Sequence, residues 1–182
     1  AHDLLASLLS RGCGHHSHVD LADLVEGCGA GLRCDAQEDA LVLSLRCTVE
    51  DAEQLLPLLA QMVRSPQLEP GQVALERSLT IQALQRQQED PFHCATTRWR
   101  QLTYGNGGYG HDPMGIAEEL DDLDREALLP LAERLPRASS VLALAGSVPP
   151  QIIDTIGSLE DFRDWPAGSS NDQSGRRPYA EA

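Results

Sequence analysis

Apolar positions along the chain recur at helical spacing in most stretches and alternate in one. Asp3 to Leu9, DLLASLL, is a short apolar helical run that Arg11-Gly12 ends. Ser17, with Asp20 three places on, is a capping-box start. Leu21, Leu24 and Val25 then share one face, and Gly27 supplies the stop. After Gly29-Ala30-Gly31 the period drops to two. Leu32 and Cys34 face one way, Arg33 and Asp35 the other, and Leu41, Leu43, Leu45 and Cys47 alternate with Val42, Ser44 and Arg46. This predicts two strands joined by a polar turn over 35–39, a hairpin with one buried face. Thr48 with Asp51 caps the next helix, in which Ala52, Leu55, Leu56, Leu59 and Val63 share a face. Pro57 falls inside that run, so a kink or a late start is expected, and Ser65-Pro66 closes it.

Glu69-Pro70-Gly71 opens a long helix to about Gln88, with Leu75, Leu79 and Ala83 in one stripe and Ile81 and Leu84 beside it. Pro91 begins another helix, whose Ala95, Trp99, Leu102 and Thr103 are expected to face inward. Tyr104 to Gly115 is a glycine-rich loop. Short helices are predicted over Ile116 to Leu120 and Asp124 to Leu135. Ser140 to Val148, SVLALAGSV, reads as a buried strand by its continuous apolar run. Pro149-Pro150 starts a last helix through about Phe162, and residues 166–182 read as a polar, disordered linker. Strands cluster rather than alternate with helices. The expected class is therefore α+β, one domain over 1–165, with a mainly antiparallel sheet and helices on one face.

The charge narrows the functions open to such a domain. Lys and Arg total 14 against 28 Asp and Glu, a net charge of -14. Nucleic-acid binding needs a basic surface that releases counterions, and this chain lacks one; an anionic membrane is disfavoured for the same reason. Cys13, Cys28, Cys34, Cys47 and Cys94 form no C-x-x-C pair. An odd, scattered set argues against a disulfide framework and for a reducing compartment, so the expected location is the cytoplasm.

Other constellations carry little chemistry. His15, His16 and His18 near Cys13 could bind a transition metal adventitiously, as a surface cluster. His93, Cys94 and His111 have no partners at ligand spacing, and adjacent His93 and Cys94 point apart on a helix. Gly27, Gly29 and Gly31 do not make a dinucleotide fingerprint, because a helix precedes them and a strand follows. The acidic run Glu118, Glu119, Asp121, Asp122 and Asp124 lacks the spacing and turn glycine of a calcium loop; it reads as a solvated helix start.

The order of these elements, with its punctuation, resembles one half of a lobe of the insulinase/pitrilysin family, which includes the mitochondrial processing peptidases. The resemblance runs from about Leu4 to Val148. Its landmarks are Gly12-Cys13, Asp23 to Glu26 leading to Gly29, the helix ending at Ser65-Pro66, Glu76-Arg77 with Glu89-Asp90-Pro91, Tyr104-Gly105 with Tyr109-Gly110 and Gly115, and Ala145 to Val148. Active members carry H-x-x-E-H on the first helix, where two histidines hold zinc and the glutamate activates water. Here that stretch is Asp3-Leu4-Leu5-Ala6-Ser7. A shift by one place brings in His2 but leaves Leu5 and Ala6 in the other positions. A further zinc-ligating glutamate late in the long helix is matched by Ala83 and Leu84.

The resemblance thus implies a catalytically empty domain with no cofactor of its own, zinc belonging to a catalytic partner half. It implies a role in holding peptide substrate and in assembly. The family also places one or two strands before the first helix. Their absence predicts an open sheet edge that pairs with another copy or with the missing piece. Two alternatives stand beside this reading: a stand-alone protein-interaction domain, and part of an intact zinc endopeptidase whose ligands lie in another domain or subunit.

Overall fold

In the computed structural model, residues 1–135, 140–163 and 165 are described. The eight-residue helix α1 (His2–Leu9) stands at the centre. Leu4, Leu5, Ala6, Leu8 and Leu9 are all buried. A helix apolar on nearly every side has to be covered on nearly every side. β1 (Gly12–Cys13) and β2 (His16–Ser17) form a minimal antiparallel pair leading into α2 (His18–Gly27). Ser17 and Asp20 make the expected capping box. α2 contributes Leu21 and Val25 to the core.

β3 (Gly31–Ala36) and β4 (Leu41–Arg46) form the predicted hairpin, in register from Gly31 opposite Arg46 to Ala36 opposite Leu41. Leu32, Cys34, Leu41, Leu43 and Leu45 are half-covered and pack against the core. α3 (Val49–Arg64) starts at its Thr48 cap and runs unbroken through Pro57, so the late start is not observed. It buries Leu55, Leu58 and Met62 in the same cluster.

α4 (Pro70–Gln87) begins with Glu69 accepting from the Gln72 backbone N–H and packs along α1. Its buried side is Val73, Glu76, Thr80 and Leu84. Leu75 and Leu79 of the predicted stripe face solvent. α5 (Pro91–Tyr104), capped by Asp90, buries no residue at all. Ala95, Trp99 and Leu102, expected to face inward, are exposed, and only Thr103 is half-covered. α6 (Ala117–Leu120) and α7 (Arg125–Ala132), the latter capped by Asp124, follow the glycine-rich loop. Leu128 and Ala132 of α7 close the core.

The class is α+β with antiparallel pairing, but the sheet is smaller than the periodicity suggests. Ser140 to Val148 forms no strand, and Val141 is 94% exposed. A strand needs a ladder partner for its backbone groups, and among the described residues none lies beside it. The last predicted helix splits into α8 (Ile152–Ser158) and a 3-10 turn (Glu160–Phe162). That turn docks on α3, where Gln61 donates to Asp161 at 3.2 Å and the Arg64 guanidinium lies 5.1 Å from the Trp165 ring centre. The polar stretch 166–182 lies outside the described residues.

Candidate functional site

The positions singled out lie on α1 and on α4, which pack along each other. Asp3 and Ser7 are half-buried and Ala6 is 2% exposed. On α4, Ala83 is half-buried and Leu84 is 6% exposed. The Ser7 hydroxyl donates to the Asp3 backbone carbonyl at 3.3 Å, so it serves its own helix. Burial raises the Asp3 carboxyl above its ordinary value; the chain's amino terminus opposes this, and the Asp112 and Asp35 charges add to it. A zinc site takes about three protein ligands, with a base added for catalysis. Ala6, Ala83 and Leu84 carry no ligating atom, and two of the three fill packed space. These residues do not fit a zinc ion.

The next contact along this seam is structural. Arg11, just past α1, donates from Nε to Glu76 Oε1 at 2.7 Å, with Nη2 at 2.6 Å from the same oxygen. The Glu76 side chain is only 8% exposed. Its neighbour Arg77 donates from Nη1 to the carbonyls of Asp121 and Leu123, both at 3.0 Å. The Glu76-Arg77 landmark therefore joins α4 to the end of α1 on one side and to the α6–α7 connection on the other.

A second polar seam holds α5 and the glycine-rich loop. His93 Nε2 lies 2.5 Å from Asp112 Oδ2, Arg100 donates to Glu38 at 2.6 Å and the Tyr109 hydroxyl donates to Asp39 at 2.6 Å. The Arg100 hydrogen bond holds the Glu38 carboxyl below its ordinary value. Trp99 meets Tyr104 edge to face and Tyr104 meets Tyr109 at a tilt, with centroids 5.9 and 5.7 Å apart. A side chain at Gly110 would put Cβ 1.9 Å from the Gly105 carbonyl oxygen, so the loop closes only with glycine there. His93 had no visible partner in the sequence because loop closure, rather than helical spacing, brings Asp112 to it.

The histidine cluster does not converge. His15 sits at the exposed tip of the β1–β2 turn, His16 pairs with Cys13 across the two strands, and His18 opens α2 in solvent. Among the described residues no group of three or more His, Cys, Asp and Glu side chains is placed to hold a metal ion, and no helix is long and apolar enough to cross a membrane.

The thiols differ sharply. Burial pushes Cys13 up to about 11 and Cys34 up to about 12, whereas Cys94 is exposed. At pH 8 a thiol at about 11 is thiolate in about one molecule in a thousand, and only the thiolate alkylates. Iodoacetamide is therefore expected to label Cys94 at least about 100-fold faster than Cys13 or Cys34 in the native chain, with all three reacting at similar rates in urea. Peptide mass mapping against time reads both rates; fast native labelling of Cys13 would mean that the core around β1 is open.

The chain is similar in sequence and in fold to known proteins. A family model described as insulinase (peptidase family M16) matches residues 1–112. No curated protein sequence matches the chain. Among solved structures, the peptidase M16 inactive domain from Pseudomonas fluorescens is similar, with TM-score 0.66 and 24% identity over 71% of this chain and 32% of that one. A protease from Helicobacter pylori superposes with TM-score 0.74 at 12% identity, over 97% of this chain and 42% of that one. The periplasmic protease PqqL from Escherichia coli gives TM-score 0.63 at 14% identity, over 72% and 15%. At these identities the likenesses speak for the fold, and the chain spans less than half the length of each. The family model covers well over half of the 182 residues, and the chain belongs to the insulinase family, peptidase family M16.

Proposed function

We propose that this chain is a non-catalytic domain of a zinc-metallopeptidase-like protein, one that helps to hold peptide substrate and assembles with a catalytic half. The observation that carries the reading is the seam between α1 and α4. By the family resemblance, Asp3, Ala6, Ser7, Ala83 and Leu84 stand where active members need ligands and a base, and Ala6 and Leu84 are buried. The similarity to a P. fluorescens domain described as inactive supports the same reading. Zinc then belongs to the catalytic partner.

The means of holding peptide are main-chain groups. Among the described residues, neither outer edge of the β3–β4 hairpin carries a further strand. An extended peptide adds to such an edge by backbone hydrogen bonds, and in the absence of peptide or partner the same edge pairs with another copy. Among the described residues the five cysteines are free thiols, which supports a reducing, cytoplasmic setting.

The test is zinc content by elemental analysis together with a fluorogenic peptide assay on the same untagged sample. Less than about 0.1 zinc per chain, and no chelator-sensitive cleavage, is the expected result. Near-stoichiometric zinc with chelator-sensitive cleavage would overturn the reading and return attention to His2, His15, His16 and His18.

A further inference from the structure

The cysteines are scattered in the sequence and gathered in the structure. Cys13 lies close to Cys34, and Cys28 lies close to Cys47, near enough for the charge of one sulfur to act on the other. The two pairs differ in what surrounds them.

Three element ends meet at Cys28 and Cys47. Cys28 caps the C-terminus of α2. Gly29 turns the chain at φ +61°, and the Ala30 N–H closes that turn on the Val25 carbonyl, so α2 leads straight into β3. Gly31 opposite Arg46 is the rung at the open end of the hairpin, and Cys47 follows directly on it. Cys47 continues the inward face of Leu41, Leu43 and Leu45, and Cys28 is half-buried against the same core. Thr48 then caps α3, its hydroxyl donating to the Asp51 carboxylate at 2.7 Å. The Cys28 thiol donates to that same carboxylate. Asp51 therefore draws the end of α2 onto the start of α3, where Cys47 is bonded to Thr48. Burial raises both thiols above their ordinary value, and the Asp51 charge raises both further.

We propose that Cys28 and Cys47 form a reversible disulfide by exchange with a small disulfide of the glutathione type, and that the Asp51 carboxylate slows this exchange. The thiolate of one cysteine attacks a sulfur of the small disulfide, forming a mixed disulfide and releasing one small thiol. The second cysteine gives its proton to water and attacks the protein sulfur of that mixed disulfide, releasing the other small thiol. Two protein thiols are oxidised and one small disulfide is reduced to two thiols. Cys13 and Cys34 do not compete. Burial holds them at about 11 and about 12, and Cys13 is fully covered, so thiolate is scarce and access is closed. The Cys28–Cys47 bond ties α2 to α3 across the open end of the hairpin. The pair stays reduced in a reducing compartment and closes under oxidative load.

The test incubates the freshly reduced full chain with millimolar oxidised glutathione at about pH 8. The sample is quenched with acid, alkylated in urea and mapped by peptide mass. The expected product is a pair of peptides joined through Cys28 and Cys47, lighter by two hydrogens than its reduced parts and separated again by dithiothreitol. Cys13 and Cys34 are recovered alkylated, and exposed Cys94 stops at the glutathione adduct. Cys28→Ser leaves Cys47 as a glutathione adduct. Asp51→Asn forms the link several-fold faster at about pH 7, because the charge that keeps both thiols protonated is gone. Asparagine still offers an oxygen to the Thr48 hydroxyl, and far-UV circular dichroism confirms that each variant is folded. In urea the preference for this pair is lost. Lasting glutathione adducts on native Cys28 and Cys47, or both left untouched while Cys94 reacts, overturns the proposal. So does a link in which Cys13 or Cys34 replaces either partner. A rate unmoved by Asp51→Asn overturns the part given to that carboxylate.

Discussion

Arg11→Ala is expected to lower the unfolding free energy by about 2–3 kcal/mol. The reason is what it leaves behind. Glu76 sits on the buried side of α4 with a side chain only 8% exposed, and Arg11 places two nitrogens on its Oε1. Truncating the arginine leaves a largely desolvated carboxylate without its cation. Breaking a fully buried pair from one side costs about 3–5 kcal/mol; the lower figure here allows for Arg11 itself being 41% exposed. For a chain of this size the loss lowers Tm by roughly 4–12 °C. Replacing both partners together, Arg11→Met with Glu76→Leu, is expected to cost clearly less than Arg11→Ala alone, because no charge is then stranded. Urea unfolding of the three chains gives the comparison. A loss under about 0.5 kcal/mol for Arg11→Ala would show that water reaches Glu76.

Leu84→Glu is expected to cost about 3–4 kcal/mol. This is the substitution that would restore a glutamate late in α4. Leu84 is 6% exposed, so the change forfeits apolar burial and places a carboxylate in packed space. Ala6→Glu meets the same obstacle on α1, at 2% exposure. Leu84→Met is the control and is expected to stay within about 1.5 kcal/mol. Guanidinium unfolding checks all three. A glutamate returned to either position is thus expected to destabilise the chain before it can contribute to a metal centre. A stable Leu84→Glu variant would mean that the space for ligands is still there.

Helix starts were legible residue by residue because capping is local chemistry. Ser17 and Thr48 each accept a backbone N–H from three residues on, as their positions in the sequence announce; Asp90 and Asp124 cap α5 and α7 in the same way, from two and three residues on. The β3–β4 hairpin was legible for a similar reason: its alternation fixes which side chains share a face, and the short turn sets the register.

The failures have a common physical origin. The spacing of Trp99 and Leu102 points them inward, because apolar residues on one helical face usually find a core, yet the protein presents α5 with the other face. Ser140 to Val148 has the composition of a buried strand and no ladder to join among the described residues. His93 and Asp112 met only because the glycine-rich loop closes over Gly110. Periodicity along a chain determined the local elements, since these rest on neighbours a few residues apart. Which face of α5 turned outward, which residues of α4 were buried and what lay beside the apolar strand segment were decided by tertiary structure. Burial is a property of two surfaces, and a one-dimensional pattern describes only the first of them.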